Sequence, residues 1–219
     1  MMNKQKGNMY TFITHTFNII KGRCPHNCSY CYCKRFPQSP LHFDEKELKT
    51  PLGEGNIIFV GSSCDMWADN IPPEWIIKTI EHCEMFSNNT YLFQSKNPQR
   101  FIDFLQGQDF PKEVIIGTTI ETNRRNNTIS SCPLPQERAY ALSKYKGRKF
   151  VTIEPILDFD IEELVELIKH ISPEFVNIGA DSKNHNLPEP NGAKILILIK
   201  ELEKFTKVNK KENLKRLIG

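Results

Sequence analysis

The chain has 219 residues, 39% hydrophobic and 25% charged, with 14 Pro and 11 Gly; this excludes disorder, collagen and a long coiled coil and fits one globular domain with a full-sized core. Its net charge of +3, from 29 basic and 26 acidic residues, excludes a whole-protein basic field for nucleic acid, although Lys200–Gly219 carries seven Lys/Arg against three Glu. The longest apolar run, Ile195–Ile199, falls far short of the ~20 residues of a membrane-spanning helix, and the polar Met1–Tyr10 lacks a signal-peptide stretch, so the expectation is a soluble cytoplasmic protein.

Apolar, β-branched runs recur along the chain, each followed by a segment of helical period, which is the pattern of βα units and a parallel sheet. Tyr10–Ile20 is the first expected strand. Asn56–Val60 is the second, a continuous apolar run of the kind a strand buried on both faces gives, and Pro72-Pro73 then opens a helix with Ile76, Ile80 and Cys83 on one face. Thr90–Gln94 is the third strand, with a helix from Pro98 bearing Phe101, Ile102 and Leu105. Val114–Ile120 follows as the fourth, then a polar stretch Glu121–Pro133 and a weaker helix near Gln136–Lys146.

Phe150–Ile153 is the fifth strand. Asp160, with Glu163 three residues on, forms a capping-box-like start to a helix whose stripe is Ile161, Leu164, Val165 and Ile168. Phe175–Ile178 is the sixth strand. The last segment, about 193–219, reads as a basic helix and tail, with Ile195, Leu198, Ile199, Leu202 and Phe205 at helical spacing; periodicity alone also allows a strand at Ile195–Ile199. No linker marks a second domain, so residues 1–219 are expected to form one.

Six βα units are too few for an eight-stranded barrel of about 250 residues and suit an open doubly wound sheet or an incomplete barrel. Either arrangement gathers function at the carboxyl ends of the strands. The loops there are Cys24–Cys33, Gly61–Asp69, Ser95–Asn97, Glu121–Asn127, Glu154–Asp158 and Gly179–His185, each rich in polar or ligand-type residues.

Of seven cysteines, Cys24, Cys28, Cys31 and Cys33 fall within ten residues, while Cys64, Cys83 and Cys132 are scattered. In a reducing compartment such a cluster favours a metal or redox-cofactor site over disulfides. Three thiolates spaced x3 and x2 on a tight loop can converge on an iron–sulfur cluster. Zinc would need Cys33, His26 or a remote cysteine as its fourth ligand, and a zinc-stabilised binding module is the contrasting reading. His15 and His26 are assigned to no metal, and Cys83 is read as packing.

Cys24-x-x-x-Cys28-x-x-Cys31, with Tyr30 before the third cysteine and the loop after the first strand of a βα series, resembles the signature of the radical S-adenosylmethionine (radical SAM) superfamily. Through Phe59–Trp75, Gln94–Phe101, Thr119–Asn123 and Ile153–Asp158 the chain is similar to an uncharacterised phage-type radical SAM family, and more distantly to spore photoproduct lyase. The resemblance implies an incomplete (β/α)6 TIM-like barrel of parallel strands. It implies a 4Fe–4S cluster on Cys24, Cys28 and Cys31, with SAM chelated at the open iron and cleaved by one electron to a 5′-deoxyadenosyl radical.

It further implies a Gly-Gly-Glu-type segment that holds the SAM amino group. The matching residues here are Gly61-Ser62-Ser63-Cys64-Asp65, with the acid displaced by two positions, so carbonyls or hydroxyls of Gly61, Ser62 and Ser63 are expected to serve. Glu121 and Asn123 match the ribose site, and Tyr30 the adenine side. Lys96, Glu154 and Asp181 follow strands and are expected in the mouth, either neutralising one another or, for Lys96, binding the SAM carboxylate; Glu154 is counted with the SAM-binding set. No catalytic residue is assigned. The implied partners are SAM, a flavodoxin- or ferredoxin-like electron donor, and a substrate read first as nucleic acid or nucleotide and second as peptide.

Overall fold

The computed structural model describes residues 2–5, 9–105, 110–125, 129–183 and 185–219; residues 126–128 of the expected polar loop lie outside these. Eight strands form one sheet: β1 (Met2–Lys4), β2 (His15–Phe17), β3 (Ile57–Val60), β4 (Thr90–Ser95), β5 (Val114–Thr119), β6 (Lys149–Ile153), β7 (Phe175–Ile178) and β8 (Lys207–Lys210). Their spatial order follows the sequence, with β1 and β8 as the edges. Strands β2 to β8 are parallel and β1 is antiparallel. Five helices connect them: α1 (Pro73–Glu84), α2 (Pro98–Leu105), α3 (Pro135–Ser143), α4 (Ile161–Ile171) and α5 (Gly192–Leu202). Helix α2 packs on α3, α3 on α4 and α4 on α5, and no described helix is long and apolar enough to cross a membrane.

Period-2 alternation explains why the strands are apolar throughout. Ile58, Val60, Tyr91, Phe93, Ile116, Val151 and Ile153 belong to the larger core, with the buried stripes of the helices. The residues between them, Phe59, Leu92, Ile115 and Phe150, form a second core with Tyr10 and Ile13. Gly117 lies in register with Phe150, and a Cβ there would stand 2.2 Å from the ring, so only glycine leaves Phe150 its place in this second core.

All six expected strands are present, and two segments differ from expectation. The first strand is confined to His15–Phe17, because the Tyr10 ring leaves the sheet to stack on Phe12 and Phe59 and meet Phe150 edge-on, its hydroxyl bonded to Gln94 Oε1 (2.5 Å) and Thr152 Oγ1 (2.7 Å). The basic end of the chain is not one helix and tail. After α5 it pairs as β8 in parallel with β7, and Asn209 bonds Asn177 across that pair at 3.0 Å. The expected capping box of α4 is also replaced: Asp160 is engaged by Arg124, and Asn123 bonds both the Asp160 amide (2.8 Å) and Glu163 (2.7 Å).

Gly117→Ala is expected to lower stability by about 1–3 kcal/mol through overpacking against Phe150. Urea denaturation checks this, and an unchanged midpoint would contradict the packing described.

Candidate active site

At the carboxyl ends of the parallel strands lies a cavity of about 480 Å³, within the range of small-molecule sites. Cys24, Cys28 and Cys31 all line it, together with Tyr30, the turn Gly61-Ser62-Ser63, Lys96, Glu154 and Asp181. The cysteine loop is shaped by backbone bonds. Asn27 takes a left-handed conformation (φ 47°) while its amide bonds Cys24 O, and the Cys31 amide bonds Cys28 O. The loop is stitched to residues 129–131 through Ser29 N to Ile129 O and Ser131 N to His26 O. Gly61 turns β3 toward the cavity at φ +77°, where a side chain would be strained.

Asp65 joins this loop to the sheet. Its buried carboxylate accepts from His26 Nε2 (2.8 Å), Ser95 Oγ (2.9 Å), and the backbone amides of Lys96 (2.8 Å) and Trp67 (3.0 Å). Burial works to raise the Asp65 pKa, but the His26 charge and these donors hold it below the usual carboxylate range.

The two cysteines that the sequence left without a role are placed beside the motif. Cys33 hydrogen-bonds Cys31 and brings its pKa down to about 6; Cys64 does the same for Cys24, down to about 7. Burial pushes Cys28 up to about 11. Three thiols gathered on one cavity wall, two of them eased toward ionisation, suit the donor set of an iron–sulfur cluster. Among the described residues no three Cys, His, Asp or Glu side chains are grouped so as to hold a single metal ion.

Behind the cavity wall, Glu121 is 1% exposed and fully engaged. It accepts from Arg138 Nη1 at 2.9 Å and from the Tyr30 hydroxyl, and Lys96 Nζ stands 3.7 Å away. Burial opposes its charge, but Arg138 and Lys96 hold its pKa low. Lys96 is likewise held charged against burial by Cys28 and Glu121, with its ammonium 5.5 Å from the centre of the Tyr30 ring.

Of the expected SAM-binding residues, the structure therefore brings Tyr30, Gly61, Ser62, Ser63, Lys96 and Glu154 to the cavity. Glu121 and Asn123 are not in its lining: one is a buried ion-pair partner and the other caps α4. Lys96, Glu154 and Asp181 do not neutralise one another. Glu154 pairs with Lys211 (2.6 Å) and Asn213 (2.9 Å), and Asp181 with His185 (2.6 Å).

Sequence reasoning missed Arg138 and Lys211. Arg138 carried a signal, since it sits on the buried stripe Pro135, Arg138, Ala139, Leu142 of α3, where an unpaired cation would be costly. Lys211 carried none.

Over residues 9–191 the chain matches the family described as protein of unknown function (DUF5131). The chain belongs to that family. Among curated proteins none matches it. Its fold is shared with a radical SAM methyltransferase from Sphaerobacter thermophilus, at 16% identity and a TM-score of 0.63 over 92% of this chain and 67% of that one. It is also shared with a spore photoproduct lyase mutant with bound AdoMet and dinucleoside spore photoproduct, at 12% identity and a TM-score of 0.58 over 92% of this chain. The chain spans 64% of the length of that lyase.

Asp65→Ala leaves four buried donors without an acceptor and is expected to destabilise the protein by about 3–5 kcal/mol. Asp65→Asn, which keeps one oxygen, should lose less. Equal losses for the two variants, measured by chemical denaturation, would show that the carboxylate does not hold the loop.

Proposed function

We propose that this protein is a radical SAM enzyme. The observation that carries the reading is the placement of Cys24, Cys28 and Cys31 on one cavity wall with the Gly61–Ser63 turn and Lys96. In this reading the three cysteines hold a 4Fe–4S cluster, which when bound supplies one electron to the SAM sulfonium and so releases methionine and a 5′-deoxyadenosyl radical. Lys96, half-buried in the cavity wall and held charged, is the cation for the SAM carboxylate. Gly61, Ser62 and Ser63 offer oxygens to its amino group.

Tyr30 borders the same wall with its ring fixed by Glu121. Glu121 is thus a positioning residue: it orients Tyr30 and Lys96 and keeps both in place through Arg138. Cys33 and Cys64 donate to motif thiols and serve as neighbours, not ligands. The reading implies a reducing compartment, the cytoplasm, and an external electron donor.

A nucleotide or nucleic-acid substrate is favoured, since the exposed Lys34 and Arg35, without an ion-pair partner among the described residues, directly follow Cys33 on the cavity wall, and the lyase that shares the fold holds a dinucleoside. The membership in a phage-type radical SAM family remains part of this proposal.

Anaerobic reconstitution is expected to give about four iron and four sulfide per chain. Reduction in the presence of SAM should then release 5′-deoxyadenosine. Cys31→Ala should abolish both, and Cys33→Ala neither. One zinc and no iron would overturn the reading in favour of a zinc-stabilised binding module.

Lys96→Ala should weaken SAM binding by about 10–100-fold, the loss of a charge-assisted contact, while iron content stays unchanged. Equilibrium dialysis with labelled SAM measures this. An unchanged affinity would remove Lys96 from the carboxylate site.

A further inference from the structure

Charge along this chain is segregated. Residues 1–43 hold six Lys/Arg and no Asp or Glu, whereas residues 44–199 sum to −7. The overall value of +3 conceals this. Within the basic stretch Lys21 is neutralised by Asp44 and Glu47, each at 2.8 Å. Lys34 and Arg35 have no ion-pair partner among the described residues; the Lys34 ammonium donates to the Asn27 carbonyl at 3.2 Å. Inside the mouth, by contrast, Lys96 and Glu154 are each matched by an opposite charge and Asp181 is bonded to the His185 imidazole.

The two free cations sit between two exposed aromatics, Tyr32 at 44% and Phe36 at 63% exposure. Tyr32 also lines the cavity, so the segment is continuous with its wall. Its shape is set in advance. Tyr32 Oη donates to Ser62 O (3.1 Å) and Gln38 Nε2 to Phe36 O (3.1 Å). Gly22 lies so close beneath Pro40 that a Cβ would be 2.3 Å from its carbonyl oxygen. Little ordering entropy is then lost when a partner binds.

We propose that Tyr32–Phe36 is a docking surface for single-stranded nucleic acid, with bases stacked on Phe36 and Tyr32 and phosphates on Lys34 and Arg35. Aromatic faces interleaved with cations are the means by which proteins hold single strands. Lys183, exposed and on the wall of the same cavity, supplies a further phosphate contact. A strand laid between them presents a base to the cavity, which a paired duplex cannot do without first unstacking. The inference deepens the proposed function by naming its substrate class, and it rests on that reading only for the chemistry that follows binding.

The test is fluorescence anisotropy of the anaerobically reconstituted protein with a labelled single-stranded DNA of about 12 nucleotides, a length near one binding-site size, titrated between about 50 and 200 mM salt. Phe36→Ala should weaken binding about tenfold, and Phe36→Trp should restore it. Replacing both cations (Lys34→Ala with Arg35→Ala) should lower the slope of log affinity against log salt by about 1.4, at about 0.7 per phosphate. Absence of binding, wild-type affinity in these variants, or a duplex bound as tightly as the single strand would each overturn the proposal. So would a Lys34/Arg35 variant that binds DNA normally but accepts electrons more slowly from an acidic flavodoxin, which would assign the surface to the electron donor. Release of 5′-deoxyadenosine without DNA, measured on the same samples, separates this outcome from failure of the radical-enzyme reading: none from the wild type sinks that reading and leaves the binding result standing.

Discussion

The cysteine loop is too short and too rich in cysteine to build a core of its own, so its position depends on one buried carboxylate. Asp65 gathers four donors from three stretches of chain: His26 within the loop, Trp67 in its own turn, and Ser95 with the Lys96 amide at the end of β4. A carboxylate largely withdrawn from water is stable only when its oxygens are satisfied. The four donors therefore fix one another, and Cys24, Cys28 and Lys96 are held in a common frame. The displaced acid that breaks the expected Gly-Gly-Glu pattern thus has a structural task of its own.

Below the loop, the barrel interior is stratified by the register of the strands. Gly117, Phe150 and Phe175 lie side by side, with Phe150 and Phe175 stacked at 5.2 Å. Two residues on comes a polar row, Thr119, Thr152, Asn177 and Asn209, joined to Tyr10 and Gln94. Two further on, past the strand ends, come Glu121, Glu154 and Lys211, with Gly179 at the corresponding place after β7. Because side chains alternate with period 2, one choice of register sets all three layers at once. The aromatic layer closes the bottom, the polar row satisfies the Tyr10 hydroxyl, and Glu154 and Lys211 of the charged layer line the cavity while Glu121 lies behind its wall.

The strands β3 to β7 were legible because burial on both faces leaves largely apolar runs, and helices α1, α2 and α4 because their stripes follow the helical period; for α5 the period left a strand at Ile195–Ile199 open, and the structure makes it a helix. Strand β8 was not, since Lys207-Val208-Asn209-Lys210 lacks both patterns and pairs through its backbone at a sheet edge, where lysine is favoured. The motif cysteines and Lys96 were legible from their place after strands. Glu121 and Asn123 were legible as loop polar groups but not in their contacts, because Arg138 arrives from α3 and Glu163 from α4, far along the chain. Sequence position tells where a strand ends; the partner that claims its last side chain is decided by packing between helices.

That claim on Glu121 has an electrostatic consequence. Two cations, Lys96 and Arg138, share one carboxylate, so the buried group retains one positive charge, and the Tyr30 hydroxyl donates to the same acid without altering that balance. The surplus lies on the Lys96 side, because Arg138 is tied to Glu121 and the Thr119 carbonyl, whereas Lys96 reaches the cavity wall and feels Cys28. In a low-dielectric pocket an excess positive charge favours ionised sulfur and carboxylate groups beside it. Had Glu121 faced the cavity, as its place at the end of β5 suggested, it would have cancelled this field. Its withdrawal behind Tyr30 leaves the Lys96 ammonium on the wall that also carries Cys28.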